Sequence, residues 1–249
     1  MRKILLLVPV LLFGMYSNAQ ENTSGKIVYE QLVKLDIKLE GDAAQFAHML
    51  PKERKSNKVL YFNSEASLFE NGESKEDENM SMSSGGGNVM IKMQEPENKV
   101  FTDLGSKKQV EQKEFMTRVF LIEAEISQQW KITGNQKMIL NYPCQEAVTE
   151  IDSVKMIAWF TPAIPVSAGP NNYGGLPGVI LSVESEDGKK SIIAQSVDFS
   201  ELEKGILSKP KKGKKVSRVE YDKIVEEKMK EMGAEKGEGN HQMMIRIHR

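Results

Sequence analysis

The stretch from Tyr142 to Glu184, YPCQEAVTEIDSVKMIAWFTPAIPVSAGPNNYGGLPGVILSVE, constrains the fold more than any other part of the chain. It holds five of the nine prolines, the only cysteine and one of the two tryptophans. Thr161-Pro162 and Ile164-Pro165 demand extended backbone, because each proline ring excludes its predecessor from the helical region. Gly169-Pro170 and Asn171-Asn172 favour turns, and Gly174-Gly175 permits positive φ or close packing of backbone on backbone. Pro177-Gly178, after Leu176, is a turn dipeptide. It opens directly onto Val179-Ile180-Leu181-Ser182-Val183, a run suited to a buried strand. A stiff loop therefore closes on itself and feeds a core strand.

The rest of the chain reads as strands. From Gly25 to Leu39, Ile27, Tyr29, Val33, Leu35, Ile37 and Leu39 alternate on one face. Lys58 to Phe69 repeats the pattern, with Leu60, Phe62, Ala66 and Leu68 in phase, and Asp42 to Leu50 reads as a short helical turn. Strands follow at Val89–Met93 and near Val100-Phe101, then one or two more between Gln109 and Glu125. Trp130-Lys131-Ile132 leads into Lys137–Tyr142. Tyr142–Ile151 and Val154–Phe160 form a hairpin through Asp152-Ser153, and Leu176–Glu184 and Ser191–Val197 another across Ser185–Gly188. No crossover helix separates successive strands, which disfavours a parallel α/β fold. The expectation is a mainly β (α+β) protein with a single antiparallel sheet and a short C-terminal helix.

Residues 1–19 read as an export signal. Arg2 and Lys3 precede an apolar run from Ile4 to Tyr16, and Ser17-Asn18-Ala19 supplies the small residues of a cleavage site, leaving Gln20 first. The run is shorter than the ~20 residues needed to span a bilayer, and no later segment approaches that length. The β-rich domain then covers 20–199, with a flexible loop at 71–88 carrying acidic residues, serines and Gly85 to Gly87. Residues 200–219 form a basic linker, and 220–249 a helix and tail, with Tyr221, Val225, Met229 and Met232 at helical spacing. A formal net charge of -1 argues against a nucleic-acid binder.

Trp130-Lys131-Ile132, Tyr142-Pro143-Cys144-Gln145-Glu146-Ala147, Ala158-Trp159-Phe160-Thr161, Ile164-Pro165, Gly169-Pro170 and Gly174 to Ile180 occur in this order. Together they resemble the signature of the GLPGLI family, exported proteins of Gram-negative bacteria defined by sequence rather than by an activity. Val179 stands where the family usually has Leu, and Asn141 where Gly often precedes the Tyr. By looser analogy the strand pattern is similar to the open half-barrels of periplasmic lipoprotein carriers, a likeness of fold that does not establish lipid binding.

The residues singled out by this signature are Trp159, Pro165, Gly169, Pro170, Gly174, Gly175, Leu176, Pro177 and Gly178. They serve either as a folding device, with Leu176 and Trp159 plugging the core, or as a rigid ligand loop. Thr161 and Ser167 carry hydroxyls, but no histidine lies between His48 and His241 to activate them. Cys144, the lone cysteine, sits inside a strand-like stretch and is expected to be buried. His241, Met243, Met244 and His248, with Met80, Met82, Met90 and Met93, have the donor types that suit copper. Glu123 with Glu125, or Glu184 with Glu186, are the carboxylate pairs a hydrolase would need. The basic run Lys209 to Arg218 is a solvated linker or a contact for acidic lipid headgroups or lipopolysaccharide.

The expectation for function is a monomeric, non-enzymatic exported protein of the periplasm or outer membrane. It would bind an apolar ligand such as a lipid, or a partner protein, without a cofactor. Copper handling and carboxylate-based hydrolysis are the alternatives.

Overall fold

The computed structural model describes residues 23–35, 51–73, 79–84, 87–92 and 95–234. In chain order the strands are β1 (Gly25–Lys34), β2 (Glu53–Phe62), β3 (Ala66–Asn71), β4 (Asn79–Ser84), β5 (Gly87–Lys92), β6 (Asn98–Asp103) and β7 (Lys108–Phe115). There follow β8 (Arg118–Glu125), β9 (Lys131–Ile139), β10 (Tyr142–Ile151), β11 (Val154–Thr161), β12 (Val179–Ser185), β13 (Lys190–Phe199), β14 (Lys214–Ser217) and one helix, α1 (Arg218–Ala234). Twelve strands make one open sheet in the order β14-β8-β7-β6-β3-β2-β1-β13-β12-β11-β10-β9, while β4 and β5 pair with each other alone. Neighbours are antiparallel except β14, which runs parallel to β8.

Tight turns set this up-and-down order. Ile151 pairs with Val154 across Asp152 and Ser153, whose φ values are 50 and 62. Ile139 pairs with Tyr142 across Leu140 and Asn141, at 49 and 66. Two successive positive φ angles match the twist of the strands they join. Between β2 and β3 the Asn63 side chain accepts hydrogen bonds from the backbone N–H of Glu65 (2.9 Å) and Ala66 (2.7 Å). The single strand expected over Lys58–Phe69 is therefore a hairpin, folded back at Asn63.

The connection from β8 to β9 forces the sheet to curl. These strands lie ten positions apart in the sheet order, which at ~4.8 Å per strand would separate them by ~48 Å if the sheet were flat. The link from Glu125 to Lys131 reaches no more than ~20 Å when fully extended. An open half-barrel satisfies both facts, and its inner face carries the core. Ile27, Tyr29, Leu60, Phe62, Phe69 and Val100 from the sheet pack there with Ile164, Val166 and Ala168 from the loop between β11 and β12.

The C-terminal segment wraps the β14 edge. After Phe199 the chain crosses the outer face of the sheet to reach β14, then turns inward into α1. Tyr221 of α1 packs edge-on against Phe115 and Phe120, with Ile224 and Val225 beside it, the spacing of one helical face. Ser217 and Glu220 cap the helix reciprocally: Ser217 Oγ accepts from Glu220 N–H at 3.2 Å, and Glu220 accepts from Ser217 N–H at 2.7 Å.

The stretch 200–219, expected as a linker, thus contains a strand of the main sheet and the first residues of α1. Residues 79–84, expected within a loop, pair as β4. Gln109–Glu125 forms β7 and β8 joined at Phe115–Arg118. The helical turn expected at 42–50 and the tail beyond Ala234 lie outside the described residues.

Candidate functional site

The loop between β11 and β12 is built into the inner face. Ile164, Val166 and Ala168 are buried while Pro165 points to solvent. Consecutive short bonds, Val166 N–H to Ile164 C=O and Ala168 N–H to Val166 C=O (both 2.8 Å), hold this segment in inverse γ-turn geometry. β12 pins it from the other side: Val179 N–H donates to Ile164 C=O (3.1 Å) and Ile180 N–H to Ala168 C=O (2.9 Å).

The glycines of the signature have separate reasons. A Cβ on Gly178, whose φ is +148, would lie 2.2 Å from the Thr161 carbonyl oxygen. On Gly169 it would meet the Tyr173 oxygen at 2.7 Å, and on Gly174 the Ile126 side chain at 2.9 Å. Gly175 is exposed with φ +85. Pro170 is buried and accepts a bond from Tyr173 N–H at 3.1 Å, while Pro177 is exposed. Leu176 is buried among Ala147, Met156, Ala158, Phe160 and Ile180.

The segment joining β8 to β9, together with Gln109 of β7, clamps the loop. Trp130 Nε1 donates to Gly174 C=O at 2.8 Å, and the amides of Gln109 and Gln128 both donate to Asn172 C=O at 3.3 Å. Trp159 is half-buried rather than enclosed, and Lys137 Nζ sits 4.2 Å from its ring centroid while reaching Glu184 at 3.6 Å. Thr161 Oγ1 donates to Pro143 C=O at 2.9 Å, so this hydroxyl is committed to the fold. Cys144 is fully buried in the core, and burial pushes its thiol up to about 11.

The other sequence candidates are dispersed. Glu184 and Glu186 are engaged with Lys137 and Lys155, and Glu123 and Glu125 are exposed on β8. Among the described residues no group of three or more His, Cys, Asp or Glu is placed to hold a metal ion. His48, Met93, His241, Met243, Met244 and His248 lie outside the described residues. Met80 and Met82 fall on β4, and Met90 on β5 opposite Ser81. No described helix is long and apolar enough to cross a membrane.

Two polar clusters escaped the sequence reading. Lys58, only 3% exposed, donates to Glu95 at 2.6 Å and Asn71 at 2.7 Å. Asn71 in turn donates to Pro96 C=O at 3.0 Å. Lys58 thereby ties together the two stems of the insertion that carries β4 and β5. Burial pulls the Lys58 pKa down, and the Glu95 carboxylate pulls it partly back up. The second cluster is buried Glu111, bonded to Arg218 of α1 and 3.5 Å from Lys113. A lysine in phase with Leu60 and Phe62 was the available signal for the first cluster.

Among the described residues β9 forms an edge of the sheet, opposite the β14 edge. Its residues are almost all exposed, with Ile132 at 47% and Met138 at 63%, and Leu140 follows at 36%. A bulge at 133–135 interrupts it, where Thr133 Oγ1 (2.5 Å) and Asn135 Nδ2 (2.8 Å) both donate to Glu146. The bulge leaves Gln136–Ile139 as a short regular edge.

The family described as "Protein of unknown function (Porph_ging)" matches residues 148–182, from the end of β10 through the loop into β12. All nine signature residues fall inside that stretch. No curated protein matches the chain. Two crystal forms of PNGF-II are similar to it in fold. One has a TM-score of 0.53 at 15% identity, covering 82% of this chain and 33% of PNGF-II. The other has a TM-score of 0.52 at 18% identity, covering 82% and 32%. The chain thus spans about a third of the length of PNGF-II.

Proposed function

We propose that this is an exported GLPGLI-type protein of the cell envelope that works by binding a partner protein rather than by catalysis. The observation that carries the reading is the β9 edge, which offers exposed Met138 beside backbone groups at Gln136–Ile139 that no strand among the described residues pairs on the outer side. A partner strand added there would gain main-chain hydrogen bonds, with Met138 as an apolar anchor. The bulge at 133–135 restricts such pairing to a short register and opposes uncontrolled edge-to-edge association. The apolar-carrier version is less favoured, because Ile164, Val166, Ala168 and Leu176 occupy the inner face where a lipid would lie. Export rests on the leader, and membership of the family on the ordered signature from Trp130 to Ile180.

Site-specific photo-crosslinking in the native host tests the reading. A crosslinker at Met138 should give one discrete envelope-protein adduct, lost in an Ile132→Lys/Met138→Lys background when probed from Gln136. A crosslinker at exposed Lys204 should not give it. Equal adducts from both positions, or none from Met138, would overturn it. The intact mass of the exported chain should begin at Gln20.

A further inference from the structure

The segment that carries the chain from β13 to β14 encloses a groove against the outer face of the sheet. Its floor is Tyr61 and Leu68, which are direct cross-strand partners, with the Glu70–Lys99–Gln112 row beside them. These residues alternate with Leu60, Phe69, Val100 and Glu111, so they face away from the core. The roof is Ile206 and Ser208–Lys212. The groove is open to solvent and has a volume of about 560 Å³, within the ~300–1,000 Å³ typical of small-ligand sites.

The charges in this groove are not balanced. On the floor, Glu70 and Lys99 pair at 3.1 Å, and Lys99 also reaches Glu97 at 3.6 Å. On the roof, Lys209, Lys211 and Lys212 have no carboxylate within ion-pair distance among the described residues. Three unpaired ammonium groups within four residues create a local positive field in a protein of formal net charge -1.

The roof is fixed at its far end. Gly213, at φ +132, passes so close to β8 that a Cβ would lie 2.9 Å from the Val119 carbonyl oxygen. Pro210 stiffens the segment. Its backbone bonds among the described residues are local, Ile206 N–H to Glu203 C=O at 3.2 Å and Ser208 N–H to Ile206 C=O at 2.8 Å.

We infer that this groove binds a phosphorylated sugar, either free or as the headgroup of a glycolipid. The three lysines take the phosphate, the half-buried Tyr61 ring carries the apolar face of the sugar and Glu70 bonds its hydroxyls, while buried Leu68 and Gln112 close the floor beneath. The site lies on the outer face, apart from the β9 edge, and does not depend on the partner reading.

Calorimetric titration of the full exported chain tests it, with glucose 1-phosphate, inorganic phosphate and glucose as probes. Glucose 1-phosphate should bind about tenfold or more tighter than either of the others. Replacing Lys209, Lys211 and Lys212 together by Glu should weaken it by about tenfold or more, whereas replacing them by Arg should retain it. These side chains are exposed, so folding is not at stake. Tyr61→Ser, with its fold checked by circular dichroism, should weaken glucose 1-phosphate but leave inorganic phosphate unchanged. Co-sedimentation with phosphatidylcholine vesicles bearing monophosphoryl lipid A separates the sources. Lysine-dependent binding to those vesicles supports a glycolipid, and binding to the soluble sugar phosphate alone supports a free ligand. Absence of binding to every probe, or binding indifferent to the Lys→Glu changes, overturns the site. Equal affinity for inorganic phosphate and glucose 1-phosphate overturns the sugar assignment.

Discussion

The Tyr29 hydroxyl donates a 2.7 Å hydrogen bond to the carbonyl of Ile180, 151 residues further along the chain. Tyr29 is fully buried and meets Phe69 edge-on at 6.2 Å between ring centroids. One side chain from β1 thus fixes the backbone where the signature loop enters β12, at the register irregularity between β11 and β12. Tyr29→Phe keeps the ring and removes only the donor, leaving a buried carbonyl without this partner. The expected loss is about 1–3 kcal/mol, read as a lower urea midpoint with an unchanged slope.

The signature glycines should differ sharply in tolerance from a glycine elsewhere in the sheet. Gly178→Ala combines a strained φ of +148 with a Cβ 2.2 Å from the Thr161 oxygen, a backbone atom that cannot swing aside. A destabilisation of about 3 kcal/mol is expected. A Cβ on Gly134, at φ +91 in the β9 bulge, would meet nothing within 4 Å. Gly134→Ala should cost only the backbone strain, about 1 kcal/mol. Thermal melts of the two variants side by side check the contrast; similar losses would mean that the loop is not rigidly seated.

The hairpins were legible because their turns announce themselves: Asp152-Ser153 lies between two alternating runs, and Ser185–Gly188 between two more. The β2–β3 break was not, because Phe62 and Ala66, four residues apart, read in sequence as one alternating run, whereas the pairing of Phe62 with Ser67 puts Ala66 and Leu68 on the opposite face from Leu60 and Phe62. The turn moves the even-numbered apolar residues from the inner to the outer face, and the signal for it lay in Asn63, whose side chain bonds two backbone donors. The path of Ser200–Gly213 was hidden for another reason. Its composition is that of a solvated linker, and only the sheet order, with β13 central and β14 at an edge, makes it cross the outer face. Leu176 is buried and a Cβ on Gly174 or Gly178 would meet Ile126 or the Thr161 oxygen, whereas Trp159 is half-exposed with Lys137 of β9 over its ring, a contact that no local pattern in the sequence announces.

Lys58 and Glu95 form the most buried ion pair among the described residues, at 3% and 23% side-chain exposure. Lys58→Met should cost about 2–3 kcal/mol, because it strands Glu95 and Asn71 without their shared donor. Adding Glu95→Gln should recover part of that loss, since the double variant buries no unpaired charge. Hydrogen exchange should locate the effect in β3 and β6, next to the insertion stems. A double variant no better than Lys58→Met alone would mean the pair acts through packing rather than charge.

Cys144 gives the fold a dependence on alkaline pH. Its thiol rises from an ordinary 9.0 to about 11 because the core around Val179 and Ile164 disfavours a thiolate. Between those values the unfolded chain has released the proton and the native chain still holds it, so raising the pH favours unfolding. The contribution is intact below pH 9.0 and is lost as the pH climbs to about 11, with a slope of at most about 1.4 kcal/mol per pH unit. Urea titrations across this range should show a steeper decline for the natural chain than for Cys144→Ala. Burial of Tyr29 also raises its pKa and adds a second decline above its ordinary value of 10.0, common to both proteins. The difference between the two curves therefore isolates the thiol. A maleimide should label Cys144 only as the protein unfolds; rapid labelling of the native chain, or parallel pH curves, would show that the strand opens enough to solvate the sulfur.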